Sequence, residues 1–274
     1  VEALPQPFLF VPVTIVWIVG ITNAFNLIDN MDGLSAGVAA ISAIFIVAFS
    51  ALLGNREVAI LAAIVGGAAA GFLLYNFNPA RIFMGDCGSM VLGFALACAA
   101  LEGTWHQASN LFLLLAAPAL LLAVPIFDTA LVTVLRTFAG RPVSQGGRDH
   151  TSHRLVALGL SERRAVLLLY GVCVTFGLLA LGGLVYDLFL TAVGALLLVV
   201  GIFFFGVFLG QVPVYGPAPG AADGERAPAL INALLLHKRR IAEVVVDFAL
   251  ICAAYSSAYL LRYEGAIPDH DAQL

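Results

Sequence analysis

Charge is scarce in this sequence: Asp, Glu, Lys and Arg make up 11% of its 274 residues, and the net charge is −4. A soluble domain carries about 25% charged residues, so the deficit excludes an ordinary water-solvated surface. With 13 Lys and Arg in all and no broad basic face, the chain also lacks the clustered cations that a nucleic-acid backbone requires, and no nucleic-acid partner is expected. Cysteine is scarce as well. Cys87, Cys98, Cys173 and Cys252 lie in or beside apolar runs without CxxC pairing, a pattern of buried thiols rather than of disulfides or a metal site. No alternating apolar and polar pattern suggests a membrane barrel. Neither an initiator Met nor a basic n-region stands ahead of the first apolar run, so that run reads as a span rather than a signal peptide, and the chain is expected to be a fragment.

What the sequence does hold is apolar length. Hydrophobic residues make up 61%, mean hydropathy is +1.00, and runs of roughly 20 residues, enough to cross a bilayer as helix, recur along the chain. Using Gly, Pro and charge as breaks, we expect spans at 8–28, 34–53, 58–77, 88–103, 111–135, 165–185, 188–210 and 243–261. The expected fold class is all-α, a polytopic transmembrane bundle of about eight spans. A main bundle occupies 1–210, a Pro/Gly/Ala-rich linker 211–242, and an additional span with a short tail 243–274. Placing the basic loop 136–164 inside the cell also puts 29–33, 78–87 and 211–242 there. The inner segments then hold Arg81, Arg136, Arg141, Arg148, Arg154, Arg163, Arg164, Arg226, Lys238, Arg239 and Arg240, against Arg56 and Arg262 outside. The positive-inside rule favours that orientation.

Four polar clusters interrupt the apolar background. In NAFNLIDNMDGLSAG, Asn23, Asn26, Asp29 and Asp32 recur at spacings of three, which would set them along one face at the end of the first span. A carboxylate near hydrocarbon calls for a metal, a counter-ion or a water-filled cavity, and a solvated helix end is the competing reading. In YNFNPARIFMGDCGSM, Asn76, Asn78, Arg81, Asp86 and Ser89 crowd a loop that Pro79, Gly85 and Gly88 let bend. Asp86 lies just ahead of a helix, where a Mg²⁺-bound phosphate would be favoured and where a plain N-cap is the alternative. In PIFDTALVTVLR, Asp128 sits inside a span, with Pro118 and Pro125 placed to kink it. GRPVSQGGRDHTSHRL offers Arg141, Arg148, Arg154, His150 and His153 to a nucleotide diphosphate. Anionic lipid is the rival ligand there, and zinc a weaker one for want of a third ligand nearby.

Together these motifs resemble the polyprenyl-phosphate N-acetylhexosamine-1-phosphate transferase family of glycosyltransferase family 4, over about residues 12–205. NAFNLIDNMDGLSAG resembles the family's Asn/Asp motif, NFNPARIFMGDCGS its most distinctive loop, and PIFDT a further segment. The family's His-x-His-His motif corresponds to residues 150–153, with Ser152 replacing the middle histidine. The family's early spans and its Asp-Asp pair have no counterpart here and are expected to precede residue 1. The segment after the linker is weakly similar to the first span of membrane-bound nucleotide-sugar dehydratases and epimerases.

The resemblance implies transfer of a sugar 1-phosphate, from a UDP-N-acetylhexosamine to undecaprenyl phosphate, with release of UMP. It implies Asp29, Asp32 and Asp86 as catalytic residues, and Mg²⁺ on Asp86 with Mn²⁺ as the alternative ion. Asn23, Asn26, Asn76, His150, His153 and Arg154 are then the substrate-binding residues. It places the protein in the bacterial inner membrane with the active face cytoplasmic, and a homodimer is the candidate assembly. The rival functions are a transporter or flippase, which would carry mid-bilayer charges and repeated halves, and a non-catalytic membrane scaffold.

Overall fold

The computed structural model describes residues 7–105, 111–142, 147–185 and 188–212. Its described residues are helical wherever they are regular. The helices are α1 (Pro7–Ile28), α2 (Leu34–Leu52), α3 (Arg56–Asn76), α4 (Gly85–Trp105), α5 (Leu111–Leu121), α6 (Ala123–Phe138), α7 (Thr151–Ala157), α8 (Glu162–Val185) and α9 (Leu188–Gly210). Six of them contain stretches long and apolar enough to cross a membrane: Val11–Ile28, Leu34–Leu52, Arg56–Asn76, Gly85–Glu102, Glu162–Leu184 and Val193–Gly210. The protein is a helical, multi-pass membrane protein. By contact the described residues form two compact units, one running to Leu184 and including Val212, the other Val185–Gln211. The polar clusters all lie in the first.

The expected span at 111–135 takes a different form. Pro118 lies inside α5, the helix ends at Leu121, and Leu122 breaks from helical geometry at φ −117° and ψ 26° before α6 begins. Pro125 has no N–H, so the Leu121 carbonyl loses its helical donor. With 11 and 16 residues, neither half reaches the roughly 20 that a crossing needs. The segment is a broken helix, and six of the seven spans expected among the described residues are found as single helices of crossing length. The expected span at 243–261 and nearly all of the 211–242 linker lie outside those residues.

In hydrocarbon, apolar side chains gain little by leaving lipid, so close packing rather than burial from water holds such a bundle together. α2 is the central helix of the first unit, with 67% of its span buried against 17% for α3 and 22% for α1. α1 lies against α4, where Trp17 Nε1 donates to the Ala97 carbonyl at 3.1 Å. At Gly93 an added Cβ would come within 2.9 Å of Phe25 Cβ and Thr22 Cα, so only a bare backbone lets α4 approach that closely. At the end away from the polar clusters, Asn55 caps α3 by accepting from Val58 N at 3.3 Å and reaches the Glu102 carbonyl at 3.4 Å. The two ends of the bundle are therefore chemically distinct.

Candidate functional site

The polar clusters converge on one layer formed by the α1–α2 turn, the α3–α4 loop, α6, α7 and the start of α8. α1 stops at Ile28, so Asp29 and Asp32 sit in the following turn, and the single helical face expected for the four Asn and Asp residues is not formed. Asn23 remains on α1, exposed, with its amide donating to the Val19 carbonyl at 2.9 Å. Asn26 reaches across to α4: its Nδ2 donates to Asp86 Oδ1 at 3.0 Å and approaches Ser89 Oγ at 3.1 Å. Gly85 enters α4 at φ +66°, a left-handed conformation natural to glycine, and Asp86 stands exposed in the first helical turn.

Asp29 and Asp86 lie near enough for their charges to interact. Burial, and then the negative charge of Asp86, push the Asp29 carboxyl up to about 6. Asp32 is differently placed. Its Oδ2 accepts from the Ala80 backbone at 2.9 Å and from Asn78 Nδ2 at 3.4 Å, which ties the α1–α2 turn to the α3–α4 loop. Asn76, expected to bind substrate, is buried and bonded on both sides to backbone: its Oδ1 accepts from Gly33 N at 3.1 Å and its Nδ2 donates to the Ile82 carbonyl at 2.9 Å. Asn78 extends the tie to α8 by donating to Glu162 Oε2 at 2.8 Å, while Arg163 Nε donates back to the Asn78 carbonyl at 2.8 Å.

The histidine segment folds more than a loop would. His150 is the N-cap of α7 but uses no side-chain cap of its own. The cap comes from α6: Asp128, 4% exposed, accepts from Thr151 N at 2.7 Å through Oδ1 and meets His150 Nδ1 at 2.7 Å through Oδ2. A carboxylate at a helix N-terminus satisfies an orphan N–H and complements the dipole. The second contact fixes the imidazole so that Nδ1 faces Asp128 and Nε2 faces away. His153 is half-buried, and burial together with His150 and Arg148 holds its pKa below the usual histidine value, favouring the neutral ring. Ser152 Oγ donates to Asn30 Oδ1 at 2.7 Å and fastens α7 to the α1–α2 turn.

Arg154, expected at a diphosphate, is turned into the protein. Its Nε donates to the Asp149 carbonyl at 2.8 Å, its Nη1 to the Val212 carbonyl at 2.9 Å, and its Nη2 lies 3.8 Å from Asp149 Oδ1. Asp149 also accepts from Arg136 Nε at 3.0 Å and lies 4.0 Å from Arg141. Sequence reasoning passed over Asp149, Asn30 and Glu162. Asp149 carried a readable signal, as the one acid between residues 139 and 161; Asn30 and Glu162 become partners only through the fold.

Among the described residues no group of three or more His, Cys, Asp or Glu side chains could by itself hold a metal. The Asp29 and Asp86 carboxylates nevertheless suit a hard divalent cation, because Mg²⁺ is commonly held by one or two carboxylates with water and substrate phosphate completing its shell.

These features define a class: a polytopic helical membrane protein with an acidic, imidazole-bearing layer at one end of its helices. Residues 2–104 match the glycosyl transferase family 4 model. It is 41% identical over 171 residues to a probable undecaprenyl-phosphate N-acetylglucosaminyl 1-phosphate transferase of Bacillus subtilis, covering 62% of this chain and 47% of the relative. It is 40% identical over 174 residues to a decaprenyl-phosphate N-acetylglucosaminephosphotransferase of Mycolicibacterium smegmatis, covering 57% and 43%. A phospho-N-acetylmuramoyl-pentapeptide-transferase of Clostridioides difficile is 52% identical over 89 residues, covering 32% of this chain and 28% of that protein. The chain thus spans about half the length or less of these relatives.

Proposed function

We propose that this chain is the larger part of the active region of a polyprenyl-phosphate sugar-phosphate transferase, which moves N-acetylhexosamine 1-phosphate from a UDP-sugar to undecaprenyl phosphate. The bond that breaks joins the sugar-bearing phosphorus to the bridging oxygen, and UMP leaves with that oxygen. The observation that carries the reading is the Asn26 bridge to Asp86, 3.0 Å long, which brings the end of α1 and the start of α4 together beside Asp29. Phosphoryl transfer asks for charge neutralisation and in-line placement more than for an unusual side chain. A bound Mg²⁺, or Mn²⁺, held by Asp86 and supported by Asp29 would polarise the diphosphate.

In this reading Asn26 orients Asp86, while Asp32 and Asn76 hold the two acidic segments in register. His150, fixed by Asp128, directs Nε2 toward the nucleotide diphosphate beside His153, and Arg154 braces α7 from behind. The preponderance of Lys and Arg in the segments at this end supports a cytoplasmic active face in the bacterial inner membrane. The names of the matched relatives support a polyprenyl-phosphate acceptor.

The test is UMP release by the full-length protein in nanodiscs, with undecaprenyl phosphate and a panel of UDP-sugars. Release that needs both the lipid phosphate and Mg²⁺ is expected. Movement of lipid or solute across the membrane without UMP release would replace this reading with a carrier.

A further inference from the structure

We infer that Tyr170, on α8, is a positioning residue that holds the α1–α2 turn in place for Asp29 and Asp32. The inference rests on the proposed role of those carboxylates and extends it to a helix that contributes no acidic group to them. Gly33 closes the turn at φ +79° and opens α2 as its N-cap. Its peptide groups are gripped from two directions. Its N–H donates to Asn76 Oδ1 at 3.1 Å, and Asn76 in turn holds the Ile82 carbonyl of the α3–α4 loop. Its carbonyl accepts the first hydrogen bond of α2 from Gly37 N at 2.9 Å and a second from the Tyr170 hydroxyl.

The path of Tyr170 to that carbonyl is open only because residue 37 lacks a side chain. A Cβ on Gly37 would overlap the phenol oxygen and the ring carbon bearing it. A phenylalanine would fill the same apolar gap between helices, so the hydroxyl is the part of Tyr170 that packing does not require, and it is spent on the turn. Gly37 and Tyr170 are therefore two halves of one device. Through Gly33 it registers α8 and the α3–α4 loop against the residues flanking Asp29 and Asp32.

The experiment compares wild type, Tyr170→Phe, Gly37→Ala and the double variant in nanodiscs, by hydrogen exchange without substrate and by steady-state kinetics. Gly177→Ala serves as a packing control, since its new methyl would overlap the Phe45 ring on the same pair of helices. In Tyr170→Phe, amides of residues 29–37 should exchange about tenfold faster while the rest of α2 and α8 is unchanged. The kcat should fall about tenfold with little change in KM. Gly37→Ala should have the same signature, and Tyr170→Phe should add nothing to it, as expected when two changes remove one interaction. Gly177→Ala should instead lower the melting temperature without a selective change in the turn. Unaltered exchange at 29–37 in Tyr170→Phe, uniform loosening like that of Gly177→Ala, or full kcat despite faster exchange would each overturn the inference. A wild-type protein that turns over no UDP-sugar would sink the proposed function yet leave the exchange result to decide whether the clamp exists.

Discussion

Asp149 and Asp86 lie in the same polar layer and treat negative charge in opposite ways. Asp149 is 7% exposed and is met by Arg136 at 3.0 Å, Arg154 at 3.8 Å and Arg141 at 4.0 Å. Asp86 is exposed, accepts a hydrogen bond from the uncharged Asn26 amide, and adds to the burden on a neighbouring acid. Where the fold supplies the cations, the carboxylate is structural. At Asp86 no ion pair is found among the described residues, which under the proposed function leaves its charge for a ligand, and that contrast, more than the count of acidic residues, is the reason for placing the working side of the layer there.

The contrast breaks most severely at Asp149. Asp149→Asn would leave arginines buried without their counter-ion, and removal of one partner from a buried ion cluster costs about 3–5 kcal/mol. The expected result is loss of folded protein, read as a large fall in melting temperature in detergent. Asp86→Asn should do the reverse, keeping the melting temperature and lowering UMP release by more than about a hundredfold, as loss of a principal charge-stabilising group does. Retained activity in Asp86→Asn would remove this residue from the metal. Asp128→Asn sharpens the boundary between the two kinds of acid. Its oxygen can still cap Thr151, but its NH₂ now faces His150 Nδ1, which reverses the donor and acceptor roles of that imidazole. Turnover should fall about tenfold, a cost of about 1.4 kcal/mol in the barrier, with a smaller loss of stability; unchanged turnover would make Asp128 a cap alone.

The smallest effect expected is a pH dependence. Asp29 titrates at about 6 in the folded chain and near 3.9 when unfolded. Between those values the folded state holds a proton that the unfolded state has released, so stability falls as pH rises through that window and levels off above about 6. Partial exposure screens the effect to a degree or two of melting temperature. Asp29→Asn should flatten the curve, and a persistent slope in that variant would assign the proton elsewhere.

Hydropathy located α1, α2, α3, α4, α8 and α9 within a few residues, because a crossing helix must be apolar along its whole length and so writes itself locally. Pro118 and Pro125 signalled a kink, but the break at Leu122 depends on how the freed carbonyl is accommodated. α7 was not legible. Seven residues do not sustain a helix alone, and its cap comes from Asp128, more than twenty positions upstream. The acidic motifs were found by residue type, whereas their division of labour was not. That Asn76 is spent on two backbones, that Arg154 faces inward, and that Asp32 stitches loops while Asp29 is left partly buried beside Asp86 are facts of long-range pairing, invisible to spacing along the chain.

The hydrogen bond from Ser152 to Asn30, 2.7 Å long, has an evolutionary consequence. It joins the histidine segment to the α1–α2 turn through two short side chains, so neither position can grow without the other yielding. Substitution of Ser152 by a bulkier histidine would require a smaller or differently directed residue at 30, or a tilt of α7 that carries His150 and His153 with it. Positions 30 and 152 should therefore change together across descendants of this sequence, as an inherited pair separated by more than a hundred residues of chain.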